Sequence, residues 1–320
     1  MFSTTAGQVQ SALDGAEPKL CKVDYGRPVE FGYFLVPNAS DPQATLRSGR
    51  LADELGLDLV GVQDHPYQSR HLDTWTLLAA IAAQTRRVRV FPDVANLPLR
   101  PPAVLAKAAA SLDLLSGRRV ELGLGAGSFW QGITAMGGPQ RTPGASVDAL
   151  EEAIQVIRLM WSGERSAWFR GRYYSLSGVH PGPQPAHPIG IWLGAYKPRM
   201  LELTGRRADG CIPSLGYVKP GDLPEMNQRI DQAAERAGRQ PEAVRRLLNV
   251  GGVFTSGANQ GPLRGPAAQW VEELAQLALE HGIDGFVLSA QTEDELRRFA
   301  LEVAPAVREK VAEHRRAYSR

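Results

Sequence analysis

The sequence predicts an α/β fold, a (β/α)8 TIM barrel with an inserted region after the fourth helix, and three observations carry that expectation. Short apolar runs alternate with amphipathic stretches eight times across residues 29–320, the rhythm of parallel strands joined by crossover helices. A chain of 320 residues with 43% hydrophobic content can bury one large core, and α/β barrels hold this length as one domain. Third, the residue clusters that look chemically unusual all fall just after strand ends, and in a barrel those loops share one mouth. An open doubly wound sheet is the other arrangement that the alternation permits.

Taken in order, residues 1–28 are polar, mixed in charge and closed by Pro28, and read as an N-terminal arm; residues 29–320 form the barrel domain. The first strand spans 29–36, and the Pro37 to Pro42 stretch breaks it before a helix carrying Leu46, Leu51 and Leu55 that stops at Gly56. Residues 59–63 form the second strand, and Asp73 caps the helix through Leu77, Leu78, Ile81 and Ala82. The third strand is 88–94, and its helix, 104–115, follows Pro101 and closes at Gly117. The fourth strand is the alternation Val120, Leu122, Leu124, and the fourth helix is 146–160. Paired apolar residues around Gly171 predict an inserted hairpin and loop between Ser162 and Pro188. Strands at 189–193, 210–212, 248–254 and 285–288 complete the set, with helices at 198–207, 226–237, 241–246, 267–281 and 293–311.

The composition excludes several classes of function. Net charge is +2 with basic residues dispersed, so no nucleic-acid groove or anionic membrane face is expected, and Arg86-Arg87-Val88-Arg89 reads as a solvated helix end. Two cysteines, Cys21 and Cys211, cannot build a disulfide framework and suit a reducing compartment, although they leave a single bridge open. Residues 1–15 lack the basic and apolar regions of a secretory signal, and the longest apolar stretch, 77–83, is too short to cross a bilayer, so a cytoplasmic location is expected. The six histidines show no paired ligand spacing, so no metal site is expected.

The candidate site follows the strand ends. His65, after Asp64 at the end of the second strand and held by Pro66, is placed to take a proton from a substrate hydroxyl; the structural alternative is a histidine satisfied by a loop carbonyl. Asp93 interrupts an apolar run, and a buried carboxylate must find donors, so residues 92–96 read either as a bulge presenting backbone groups and Asn96 to a ring system or as a polar loop start. Gly125 and Gly127 leave backbone without side chains above the fourth strand, which suits a flat ring or a phosphate as well as a plain turn. The cluster is not a dinucleotide fingerprint, because G-x-G-x-x-G requires glycine where Ser128 stands. Phe129 and Trp130 could wall a flat cofactor or pack in the core. Gly194, Ala195 and Tyr196 precede a helix N-terminus, whose free N–H groups favour a phosphate, and Lys197 and Arg199 could add charge.

With these residues on the page, the chain resembles the luciferase-like flavin- or F420-dependent oxidoreductases over about residues 31–307. The resemblance rests on Val62-Gln63-Asp64-His65, on Asn96-Leu97-Pro98-Leu99-Arg100-Pro101-Pro102 with Leu105-Ala106-Lys107, on Leu112-Asp113-Leu114-Leu115-Ser116-Gly117-Arg118, on Leu122-Gly123-Leu124-Gly125-Ala126-Gly127, and on Leu193-Gly194-Ala195. It implies a barrel, usually a homodimer, that binds coenzyme F420 or FMN in its mouth, and a non-prolyl cis peptide at the end of the third strand, which falls at Asp93-Val94. Asp64-His65 is similar to the Asp-His pair of the F420-dependent dehydrogenases, which makes His65 the base. By the same likeness Asp64, Asp93, Val94 and Asn96 touch the ring and its side chain, while Gly127, Ser128 and Phe129 with Gly194, Ala195 and Tyr196 hold the ribityl phosphate. One departure counts against a sugar-phosphate substrate: Ser128 stands where the glucose-6-phosphate enzymes carry an acidic glutamate.

Three functions are therefore expected to compete. The first is an F420-dependent oxidoreductase moving a hydride between the deazaflavin and a small alcohol or activated double bond, favoured by the Asp-His pair and by Arg141, Lys197 and Arg199 as partners for an acidic tail. The second is an FMN-dependent monooxygenase on the same barrel. The third is a non-catalytic cofactor carrier.

Overall fold

The computed structural model describes residues 24–257 and 261–318. Eight parallel strands make the barrel: β1 (Glu30–Leu35), β2 (Leu59–Val62), β3 (Arg89–Pro92, resuming at Ala95–Asn96), β4 (Leu122–Gly125), β5 (Ile191–Leu193), β6 (Gly210–Cys211), β7 (Arg245–Val250) and β8 (Gly285–Leu288). The two halves of β3 lie at opposite ends of the hydrogen-bonded order, so the sheet closes on itself: Arg89–Pro92 pairs with β2, Ala95–Asn96 pairs with β4, and Val90 bridges to Val120.

Helices cover the outside. Asp41 and Asp73 cap the helices Pro42–Glu54 and Thr74–Gln84 by accepting from Ala44 N and Thr76 N, and Gly117, at φ +71°, ends Pro102–Ser116 in the left-handed conformation. Outward-facing strand residues such as Phe31, Val60, Val62, Val90 and Phe286 pack against helical Leu78, Ile81, Ala106, Ile154, Ile157 and Trp270 in one continuous core. Each fully buried aliphatic or aromatic side chain here contributes about 1.5–3 kcal/mol. The inserted hairpin is present as Ala167–Arg170 paired antiparallel with Ser175–Val179.

The inward faces fill the lumen in three layers, because strand side chains repeat every second residue. The middle layer is apolar: Leu59, Phe91, Trp192, Ile212, Leu247 and Val287, with Phe34 and Val94 against them. The lower layer, at the strand starts, is ionic. Arg89 bonds both Glu30 and Glu121, and Arg245 reaches Glu30 at 2.6 Å and Asp284 at 2.9 Å. The upper layer carries Asp93, Ser214 and Asn249.

Several expectations need correction. The segment 241–246 is not a helix: Pro241–Ala243 is one 3-10 turn, and β7 starts at Arg245 rather than Leu248. Two consecutive arginines look solvent-seeking in sequence, yet Arg245 closes the lower ion cluster and Arg246 is buried on the outer face against Asn227 and Asp231. The seventh strand also stops at Val250, before Gly251 and Gly252, and Val253–Phe254 pairs with Arg264–Gly265 instead. Arg89 is likewise no solvated helix end. The last helix is broken by a π turn at Phe299–Val303, and a short helix, Trp130–Ala135, follows the β4 loop. The expected arm falls mainly on 1–23, outside the described residues, as does Cys21. Its last residues cross the lower end of the barrel, with Arg315 on Asp24 and the Tyr25 hydroxyl donating to Asp231.

Candidate active site

At the upper end, β2 delivers Asp64 and His65, and the two side chains part company. Asp64 is buried and fully engaged: Oδ2 accepts from Arg100 Nε at 2.7 Å and Asn96 N at 2.8 Å, and Oδ1 accepts from Arg100 Nη2 at 2.7 Å. Arg100 continues to Asp73, the cap of the next helix, at 2.8 Å. Asp64 therefore ties the β2 loop to the β3 loop, and its partner is Arg100 rather than His65.

The partner of His65 is Tyr67, whose hydroxyl lies 2.7 Å from Nδ1. Burial first, then the neighbouring His71, holds the half-buried imidazole below its usual range against the opposing pull of Asp64, so it is neutral at physiological pH. Tyr67 is itself pinned. Its ring meets Phe129 at 5.1 Å and 57°, and Gly132 leaves room for both, since a Cβ there would lie 2.8 Å from Tyr67 and 2.5 Å from Phe129. A two-residue hydrogen bond thus couples the imidazole to the β4 loop.

The peptide Asp93–Val94 is cis, as the resemblance implied. The bulge it creates explains the glycines differently from the expectation of bare backbone beneath a ring. Added Cβ atoms at Gly123, Gly125 and Gly194 would lie 3.1, 2.8 and 3.0 Å from the Val94 side chain, and at Gly123 also 2.1 Å from Pro92 O. Glycine is required there because Val94 fills the notch. Gly127, at φ +92°, lets the loop pack on Pro98.

Asp93 is 6% exposed; Oδ1 accepts from Asn249 Nδ2 at 3.1 Å, and Oδ2 has no partner among the described residues. Burial pushes its carboxyl up to about 7, with the Asn249 bond opposing. The buried Asn96 and Asn249 also keep side-chain oxygens without partners among the described residues.

The remaining expected residues divide. Ser128 and Phe129 are exposed on the β4 loop, and Tyr196 is exposed and stacked on Tyr217 at 5.9 Å and 12°. Ala195 is buried, its carbonyl accepting from the Cys211 thiol. Lys197 lies over the Tyr196 ring, Arg199 is bonded to Asp148, and Arg141 sits over Tyr173 and Tyr174. The expected residues thus gather at one end, linked as Asp64 to Asn96, Val94 to Gly125 and Gly194, and His65 through Tyr67 to Phe129. Sequence reasoning missed the roles of Tyr67, Arg100, Ser214, Tyr217 and Asn249. Asn249 had a signal, a polar residue among the apolar Leu247, Leu248 and Val250.

Comparison with known proteins agrees with this architecture. The chain is 31% identical over 234 residues to the F420-dependent glucose-6-phosphate dehydrogenase of Kineococcus radiotolerans, covering 71% of this chain and 68% of that one. It is 30% identical over 229 residues to the enzyme of the same description from Microbacterium testaceum, covering 70% and 68%. Among solved structures, an F420-dependent secondary alcohol dehydrogenase in complex with an F420-acetone adduct superposes with TM-score 0.78 at 19% identity, covering 88% of this chain and 99% of that one. The FMN-bound oxygenating constituent of 3,6-diketocamphane monooxygenase from Pseudomonas putida shares the fold at TM-score 0.70 and 18% identity, covering 87% and 98%. The luciferase-like monooxygenase family matches residues 29–251, more than half of the chain, and this protein belongs to that family.

Proposed function

We propose that the chain is an F420-dependent oxidoreductase that transfers a hydride between the deazaflavin and a small organic substrate, an alcohol or an activated double bond, with His65 as acid and base. The observation that carries this reading is the neutral imidazole at the mouth, bonded through Nδ1 to Tyr67 and standing clear of Asp64. The residues fit a polar, planar cofactor: three buried oxygens, on Asp93, Asn96 and Asn249, have no partner among the described residues, and the Asp93–Val94 bulge adjoins them. When bound, the deazaflavin supplies a ring carbon that accepts or donates hydride.

The chain's own residues supply the proton chemistry. With Nδ1 held by Tyr67, Nε2 is the atom left to exchange a proton with substrate. In alcohol oxidation Nε2 takes the hydroxyl proton while Nδ1–H donates to the phenol oxygen; in reduction the protonated ring returns it. Asp93, Val94 and Asn96 would face the ring, with Gly125 and Gly194 making room for Val94, and Gly127, Ser128 and Phe129 with Tyr196 would meet the ribityl phosphate beside the N-terminus of Pro198–Arg207. Of the three cations expected to meet an acidic tail, Arg199 is bonded to Asp148, whereas Lys197 and Arg141 lie over tyrosine rings.

An FMN-dependent monooxygenase is the second reading, supported by the fold shared with the Pseudomonas putida enzyme. Parallel fluorescence titrations with F420 and reduced and oxidised FMN separate the two, and oxygen consumption with reduced FMN tests the second directly. The F420 reading predicts preferential F420 binding; absence of F420 binding at high concentration refutes it. The resemblance also carries a homodimer, which light scattering tests.

A further inference from the structure

Asp93 and Asn249 are bonded to each other in the upper lumen, and each keeps a buried oxygen without a partner among the described residues: Asp93 Oδ2 and Asn249 Oδ1. The Asn249 amide nitrogen is engaged twice, with Asp93 Oδ1 at 3.1 Å and Ser214 Oγ at 3.3 Å, so its carbonyl is what remains to offer. A buried polar atom left this way costs roughly 1–3 kcal/mol, and the usual resolution is a water or a ligand.

The chemistry of the pair depends on where one proton sits. Asp93 bonds no cation among the described residues. The ionisable groups at the neighbouring strand ends are Asp64, neutralised by Arg100, and His65, held neutral and bonded to Tyr67. Within β2, Gly61 brings only backbone against the carboxyl, with an added Cβ 3.0 Å from Oδ2. Asn249 and Ser214 bring neutral dipoles. An ionised carboxylate here would have one amide bond and an apolar layer beneath it, so below about pH 7 the neutral acid is the stable form, its proton on Oδ2 because Oδ1 already accepts from Asn249. The result is an O–H donor beside a C=O acceptor.

We propose that Asp93 and Asn249 form a recognition site for a cyclic imide edge, with Asp93 donating to a ligand carbonyl and Asn249 Oδ1 accepting from the adjacent ligand N–H. The site rests on the function proposed above, because flavin and deazaflavin chromophores share that edge; it names the side chains that would read it and makes the reading independent of which chromophore is native. Val94 packs against the glycines beside it, and the apolar layer of Phe91, Trp192 and Leu247 closes the lumen below, so an edge entering from the mouth meets these two polar groups last.

The test is a fluorescence titration of the intact protein with FMN and with the deazaflavin chromophore of F420, each beside its N3-methyl derivative, in which the imide N–H is replaced. Wild-type protein is expected to bind the N3-methyl forms on the order of 10- to 100-fold more weakly than the parents. Asp93→Leu and Asn249→Leu are expected to weaken the parents over the same range, and Asn249→Leu, which removes the acceptor of the imide N–H, to abolish the penalty for methylation. Asp93→Asn, which keeps a donor and an acceptor, should stay near wild type. Equal affinity for parent and N3-methyl ligand in the wild-type protein overturns the proposal while leaving the redox reading standing. Failure of both parents to bind overturns both. The wild-type comparison needs no variant to fold, so a misfolded leucine variant does not blunt it.

Discussion

The two ends of the barrel lumen treat buried charge in opposite ways. At the lower end Glu30, Arg89, Glu121, Arg245 and Asp284 are joined in one network, with Arg245 also lying over the Trp192 ring. Burial would raise Glu30, but Arg245 and Arg89 outweigh it and hold that carboxyl below its usual range, while at Glu121 and Asp284 burial still wins over the opposing arginines. At the upper end, separated by one apolar layer, Asp93 faces no cation among the described residues and is pushed up to about 7 by burial. The same fold pairs its charge where only the barrel must be held, and leaves polar groups without protein partners where the mouth opens. That contrast supports the proposal that the upper end is the working one, and breaking either end separately should produce different failures.

The largest expected effect is at His65. Replacing it by alanine should lower turnover by about 10²–10⁴-fold, the range for loss of a general acid or base, with cofactor affinity nearly unchanged in a fluorescence titration. Comparable loss of binding and turnover would mean that the imidazole is a packing residue. At the other end, Arg245→Met strands Asp284 and weakens Glu30, and should cost about 3–5 kcal/mol in urea unfolding without altering ligand affinity. An altered affinity there would dissolve the contrast between the ends.

Asp93→Asn probes the upper end through stability. The folded chain holds the Asp93 proton up to about pH 7, whereas an unfolded aspartate releases it near its ordinary value of 3.8. Between those values the native state binds more protons, so stability falls as pH rises through the window and stays low above it. The asparagine variant should lack this dependence and be more stable than wild type at alkaline pH by on the order of 2–4 kcal/mol. Thermal melts of both proteins across the window check the sign. Smallest is Tyr67→Phe, which removes the Nδ1 partner: kcat should fall about tenfold with KM little changed, and the ¹⁵N shifts of the His65 ring should show a redistributed tautomer.

Much of the barrel was legible because its signals are local. Caps at Asp41, Asp73 and Gly117 and the alternation in β4 each depend on residues within one turn or one strand. The cis bond at Asp93–Val94 was expected from family likeness and is present. What sequence hid was long-range pairing. Arg100 lies 36 residues from the Asp64 it binds, so Asp64-His65 read as a pair when the fold separates their functions. Arg245 read as helical because the acids that neutralise it come from β1 and the start of β8. The glycines of β4 and β5 read as an open floor because nothing in their own segments shows that Val94 comes from β3 to fill it.

The contrast between the ends reduces to the protonation of one carboxyl, and it can be watched directly by ¹³C NMR of protein labelled at aspartate side chains. The account predicts a buried aspartate that titrates near pH 7 in the unliganded protein and whose signal, unlike those of the other buried aspartates, is missing from Asp93→Asn. If every aspartate is already ionised at about pH 5, the upper end is not the unpaired, ligand-awaiting layer described here.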